Sequence, residues 1–97
     1  MNVDITEHSN AGHKLKEYIV LAKIVDVLRY RIGELEDCID ALDRLIEDVE
    51  ATGLDDTLNK LCESRNRLNL NRIELELHVN KLERHILEFE QDRMLTE

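Results

Sequence analysis

The sequence predicts an all-α chain, a long antiparallel helical hairpin of coiled-coil type that dimerises into a four-helix bundle. Three observations lead there. Pro is absent and Gly occurs only at 12, 33 and 53, so little interrupts a helix. Apolar residues recur at alternating spacings of three and four on both sides of a single break. The stretches flanking the break are similar in length, and a short link between equal helices implies antiparallel packing. Tyr18, Tyr30 and Phe89 are the only aromatics, while Leu, Glu, Asp and Arg dominate. A sheet would want more aromatic and β-branched residues.

Taken in order, residues 1–9 carry no periodicity and are expected to be a flexible N-terminal tail ahead of a hairpin over 10–94. Ser9 or Asn10 is the expected cap of the first helix, about 11–52. In heptad lettering its a positions are Tyr18, Val25, Ile32, Ile39 and Ile46, and its d positions are Leu21, Leu28, Leu35, Leu42 and Val49. Five consecutive heptads obeying one rule make a specific signal. The turn is expected at 52–56. Gly53 suits the left-handed residue that ends a helix, Leu54 is expected to fold back onto Val49, and Asp55 or Asp56 to cap the next helix.

The second helix is expected over about 56–92, with 95–97 a C-terminal tail. Its seam reads Leu54, Leu58, Leu61, Leu68, Leu75, Val79, Leu82, Ile86 and Phe89, interrupted by Arg65 and Arg72. The stretch from Leu68 to Val79 also shows strand-like alternation, but no partner strand is visible for it.

A turn near Gly53 makes facing residues sum to about 107. Five oppositely charged pairs fall there: Glu47–Lys60, Arg44–Glu63, Asp40–Arg67, Arg31–Glu76 and Asp26–Lys81. Lys23–Arg84, Glu17–Glu90 and Lys14–Arg93 are like-signed and lie far from the turn, so splaying is expected at that end.

Each helix carries a second apolar stripe. Helix 1 has Val20, Ile24, Val27, Cys38, Ala41 and Leu45; helix 2 has Leu70, Ile73 and Leu77. A helix apolar on two sides needs two neighbours, and the hairpin supplies one. A second copy is expected to supply the other. The expected core and dimer residues are Val25, Leu28, Ile32, Leu35, Ile39, Leu42 and Ile46 with Leu70, Ile73 and Leu77. The alternative dimer pairs helix 1 in parallel with helix 1 of a second chain, because β-branched a with Leu d favours parallel two-stranded coils.

The chain has 13 basic and 22 acidic residues, a net charge of −9. Such a chain repels nucleic-acid phosphates and anionic membranes, so neither is an expected partner. No apolar run reaches the roughly 20 residues of a membrane span. No secretion signal is read at the N-terminus, and two cysteines make no disulfide framework, so a cytoplasmic setting is expected.

No catalytic constellation, cofactor motif or metal site is read, and the chain is not expected to be an enzyme. His78 and His85 share a helix face, but the Glu-x-x-His of carboxylate bundles fails at both, with Leu75 and Leu82 three residues before. Flanking positions beside the seam are the plainer reading. His8 and His13 sit in or near the tail. Cys38 and Cys62 sum to 100, about 10 Å out of step, which is too far for a bridge. Lys60, Arg65, Arg67 and Arg72 form a local basic cluster that faces acidic helix 1. The expected function is therefore a non-catalytic interaction module (adaptor, scaffold or regulator) acting as a homodimer.

Ten acids lie between Glu34 and Asp56, with Arg44 the only base. Glu34, Asp37, Asp40, Glu47, Asp48, Asp55 and Asp56 are the candidate partner-binding face. The plain reading is a solvated surface. The alternative function is a small acidic inhibitor that occupies a basic, nucleic-acid-binding surface of a target protein. In charge and size the chain resembles small acidic phage inhibitors, without sharing a motif.

Overall fold

The structure, a computed structural model, describes the backbone of residues 2–96 and the side chains of residues 12–92. Helix α1 spans Asn2–Glu50 and α2 spans Asp55–Thr96. They fold back on each other as a hairpin measuring 77 × 21 × 14 Å. The long dimension is what 49 residues give at about 1.5 Å each.

The helices outrun the sequence boundaries at their far ends. The backbone is already helical from Asn2, within the expected tail, and runs through Ser9 and Asn10, so neither caps α1. No Pro stands in that segment, and residues of middling propensity cost only tenths of a kcal/mol each, less than is needed to stop a helix. At the other end α2 reaches Thr96, into the expected C-terminal tail. The stretch from Leu68 to Val79 is helical as well.

The turn occupies residues 51–54. Gly53 takes the left-handed conformation, φ 76°, as its position at the break required. The Thr52 N–H donates to the Val49 carbonyl at 3.0 Å and its hydroxyl to the same oxygen at 2.7 Å, occupying an end carbonyl that α1 cannot satisfy itself. The Leu58 N–H donates to the Leu54 carbonyl at 2.9 Å, which makes Leu54 the cap residue of α2. Asp55 and Asp56 fall one and two places inside the helix. They serve α2 by placing negative charge at its positive end and not by capping it. Leu54 is 57% exposed and so is not folded away against α1.

All ten a and d residues of α1 are at least half-withdrawn from solvent, as are Leu58, Leu61, Leu68, Leu75, Val79, Leu82, Ile86 and Phe89 of α2. Two helices enclose little, however. Val25 and Val79 are the only described residues counted as buried, at 6% and 5% exposure. The seam of α1 is thus taken by α2 of the same chain. A parallel helix 1 coiled coil through those positions would have to displace it.

Tyr18 and Phe89, whose numbers sum to 107, stack with centroids 5.0 Å apart. The Tyr18 hydroxyl donates to Glu90 at 3.0 Å. The register therefore holds out to this level, and the expected splaying is not found there. Two of the three like-signed pairs assigned to that end do not confront each other, and the third, Lys14–Arg93, lies outside the described side chains. Lys23 and Arg84 sit on opposite outer edges of the hairpin, and Glu17 and Glu90 on opposite flat faces.

Candidate functional site

An antiparallel pair brings the e positions of both helices to one flat face and the g positions to the other. The e face carries the polar contacts between helices. Arg29 of α1 pairs with Glu83 of α2 there. Arg65 reaches Asp43 at 2.6 Å. Arg72 donates to Asn69 and to Glu76, each at 2.8 Å, swinging out of the seam toward the same face. The hydrogen bond from Glu83, and then its charge, hold the Arg29 guanidinium above its ordinary pKa.

This geometry corrects the charge register. None of the five oppositely charged pairs expected at a sum of 107 forms an ion pair. Arg31 pairs with Glu34 at 3.9 Å and Glu76 with Arg72 at 2.8 Å, each on its own helix. A shared sum places two residues at one height along the axis. It does not place them on one side, and residues such as Glu47 and Lys60 are at one height but point outward from different helices. Ion pairs between the helices instead join flanking positions to each other, as Arg29–Glu83, or a seam arginine to a flanking acid, as Arg65–Asp43.

The e face is otherwise acidic. Its flanking positions are Arg29, Glu36, Asp43 and Glu50 on α1 and Glu76, Glu83 and Glu90 on α2, besides Ala22, Cys62 and Asn69. An open groove on it is lined by Ala22, Val25, Arg29, Glu83 and Ile86, among others. It has no buried nucleophile or base, and among the described residues no buried side-chain polar atom lacks a partner.

The g face differs. On α1 its positions are Ile24, Arg31, Cys38 and Leu45; on α2 they are Thr57, Ser64, Asn71, His78 and His85. Arg31 is the one permanent charge in that set; Glu17 and Asp92 extend the same face at the end far from the turn. Beside it on α1 the c positions continue the apolar surface: Val20 is 53% exposed, Val27 67%, and Leu45 on g 50%. The second stripe expected on helix 1 is therefore real surface. The stripe expected on helix 2 is exposed too, with Leu70, Ile73 and Leu77 outward. It does not join the first, because b and f positions lie on the back of α2, toward the e side. Of the ten residues expected in core and dimer seam, Val25, Leu28, Ile32, Leu35, Ile39, Leu42 and Ile46 line the hairpin, while Leu70, Ile73 and Leu77 stand apart from them.

Of the ten acids between Glu34 and Asp56, Glu34 and Asp43 are in ion pairs. The other eight make none, so Asp37, Asp40, Glu47, Asp48, Asp55 and Asp56 are open to solvent and unpaired. The last turn of α1 holds no basic residue. Glu47, Asp48 and Glu50 thus stand at the negative end of the helix dipole, where each is unfavourable.

Cys38 and Cys62 are free thiols, Cys38 exposed and Cys62 partly covered. His85 lies 3.7 Å from Glu88 on its own helix, and His13 3.3 Å from Glu17. Among the described residues no group of three or more His, Cys, Asp or Glu could hold a metal ion. No helix, among those residues, is long and apolar enough to cross a membrane. No protein family matches this chain, and neither a curated protein nor a solved structure does.

Proposed function

We propose that this chain is a non-catalytic protein–protein interaction module, an adaptor, scaffold or regulator, that works as a homodimer of helical hairpins. The observation that carries the reading is the apolar surface left outside the seam on both helices. The chain exposes 8024 Å². A folded monomer of 11.4 kDa exposes about 5,800 Å² by the usual scaling. The excess, about 2,200 Å², exceeds the roughly 800 Å² per partner of a standard interface. Sedimentation equilibrium at micromolar concentration tests the reading: a dimer mass is expected, and a stable monomer overturns it. Two free thiols favour a reducing, cytoplasmic setting.

A second reading has its own support. Eight unpaired acids crowd the turn end, and three oppose the α1 dipole, a placement that lowers stability. Such a face suits a basic protein surface, including one that otherwise binds nucleic acid. Charge reversal at Asp37, Asp40 and Asp48 should then abolish capture of such a partner while helicity is kept. Binding that ignores both those changes and added salt removes this reading.

A further inference from the structure

We infer that the second copy docks antiparallel along the c and g stripe of α1, with the two-fold axis passing between Ile32 and Gly33. The inference rests on the homodimer reading and adds its face, polarity and register.

Charge selects the face. Each copy carries a net charge of −9. The e face presents six flanking acids against Arg29 and the two seam arginines, Arg65 and Arg72, that turn onto it, so it stays net negative and two e faces repel. The g face presents Arg31 alone along the length of the stripe, with Glu17 and Asp92 beyond it at the end far from the turn, and interface centres are depleted in charge.

Residue order then selects the register. The stripe runs from Val20 to Leu45, and its only charged residues, Arg31 and Glu34, sit at its middle. When α1 packs antiparallel on its copy, facing positions have a constant sum. A sum of 65 sets Val20 against Leu45, Ile24 against Ala41 and Val27 against Cys38. The same sum sets Arg31 against Glu34 of the second copy, twice over by symmetry. Sliding by a heptad either way puts Arg31 on Val27 or Ala41, and Glu34 on Ile24 or Cys38. An in-register parallel pairing stacks Arg31 on Arg31 and Glu34 on Glu34. Both alternatives lose the charge match. At each end the next facing pair is Glu17 with Asp48, like charges that bound the contact.

The second helix agrees independently. The hairpin register carries the axis to a level between Glu74 and Leu75 of α2. There Asn71 faces His78 of the second copy and Ser64 faces His85, with no carboxylate, Lys or Arg in either pair. The bundle closes with the acidic e faces turned outward.

Disulfide trapping reads the register directly. Val27 is 67% exposed, so Val27→Cys in a Cys62→Ser background leaves the seam intact. Treated with diamide, which oxidises two thiols to a disulfide, it should give a covalent dimer through Cys38 of the second copy. Cys62→Ser alone should not, because the two Cys38 residues stand about 16 Å apart along the axis. Tyr30→Cys, 72% exposed on the outer edge, is the off-face control and should give none. Ready bridging by Cys62→Ser alone indicates a parallel pairing and overturns the inference. A dimer by sedimentation that Val27→Cys does not trap overturns the register and leaves the homodimer standing. A monomer removes both. As a second measurement, Arg31→Glu and Glu34→Arg chains should each dimerise at least tenfold more weakly alone and recover when mixed. No recovery on mixing also overturns the inference.

Discussion

Val25 and Val27 are two residues apart on one helix, yet Val25 is 6% exposed and Val27 67%. Changing either to Ala removes two methylene equivalents, about 1.6 kcal/mol at full burial. Scaled by exposure in a lone hairpin, the loss is about 1.5 kcal/mol for Val25→Ala and about 0.5 kcal/mol for Val27→Ala. Alanine returns about 0.5 kcal/mol of helix propensity at both sites, so it cancels in the comparison. The expected difference is about 1 kcal/mol when the chain is dilute. In the proposed dimer Val27 is covered by the second copy, and at high protein concentration the difference should shrink toward zero. Urea denaturation followed by circular dichroism at low and high concentration measures both quantities. If Val25→Ala costs no more than Val27→Ala in dilute solution, the seam assignment fails. A difference indifferent to concentration refutes the docking face.

Other outcomes follow from single sites. Arg72 occupies a seam position opposite Leu35, so Arg72→Leu should raise the unfolding free energy from urea denaturation by about 1 kcal/mol, less the few tenths lost with the Glu76 pair. The two glycines should respond with opposite signs in thermal melts. Gly53→Ala should cost about 1–2 kcal/mol, because φ is 76° although nothing crowds the site. Gly33→Ala, mid-helix with open space around it, should add about 0.5–1 kcal/mol. Glu50→Lys should stabilise the end of α1 by about 0.5–2 kcal/mol at low ionic strength by matching the dipole, and salt should erode the gain. A destabilised Glu50→Lys would mean that the turn-end acids are held by contacts outside the helix dipole picture.

Much of this protein is legible in its sequence. The a and d positions of α1, the break at Gly53, the helical reading of Leu68–Val79 and the second stripe of helix 1 all follow from spacing. Spacing reports which residues share a helix face, and burial of that face is the dominant force here. The axial register was legible for the same reason, and the Tyr18–Phe89 stack meets it. Three things were not legible. The start of α1 escaped because nothing in residues 2–9 is apolar at regular spacing, although the backbone remains helical. The cap of α2 fell to the Leu54 backbone, since a cap is set by where the chain exits the turn and not by residue type alone. The ion pairs shifted because a sum of residue numbers fixes height and leaves angle open.

The sequence by itself thus determined the hairpin, its seam and its height register, all of which repeat along the chain at a fixed period. Only the tertiary structure decided which flat face each flanking residue joins. It separated the stripe of α1 from that of α2, set Arg29 against Glu83 on an acidic face, and left the less charged face open. The physical reason is that faces of a hairpin exist only once two helices share an axis. Angle around that axis is a property of the pair.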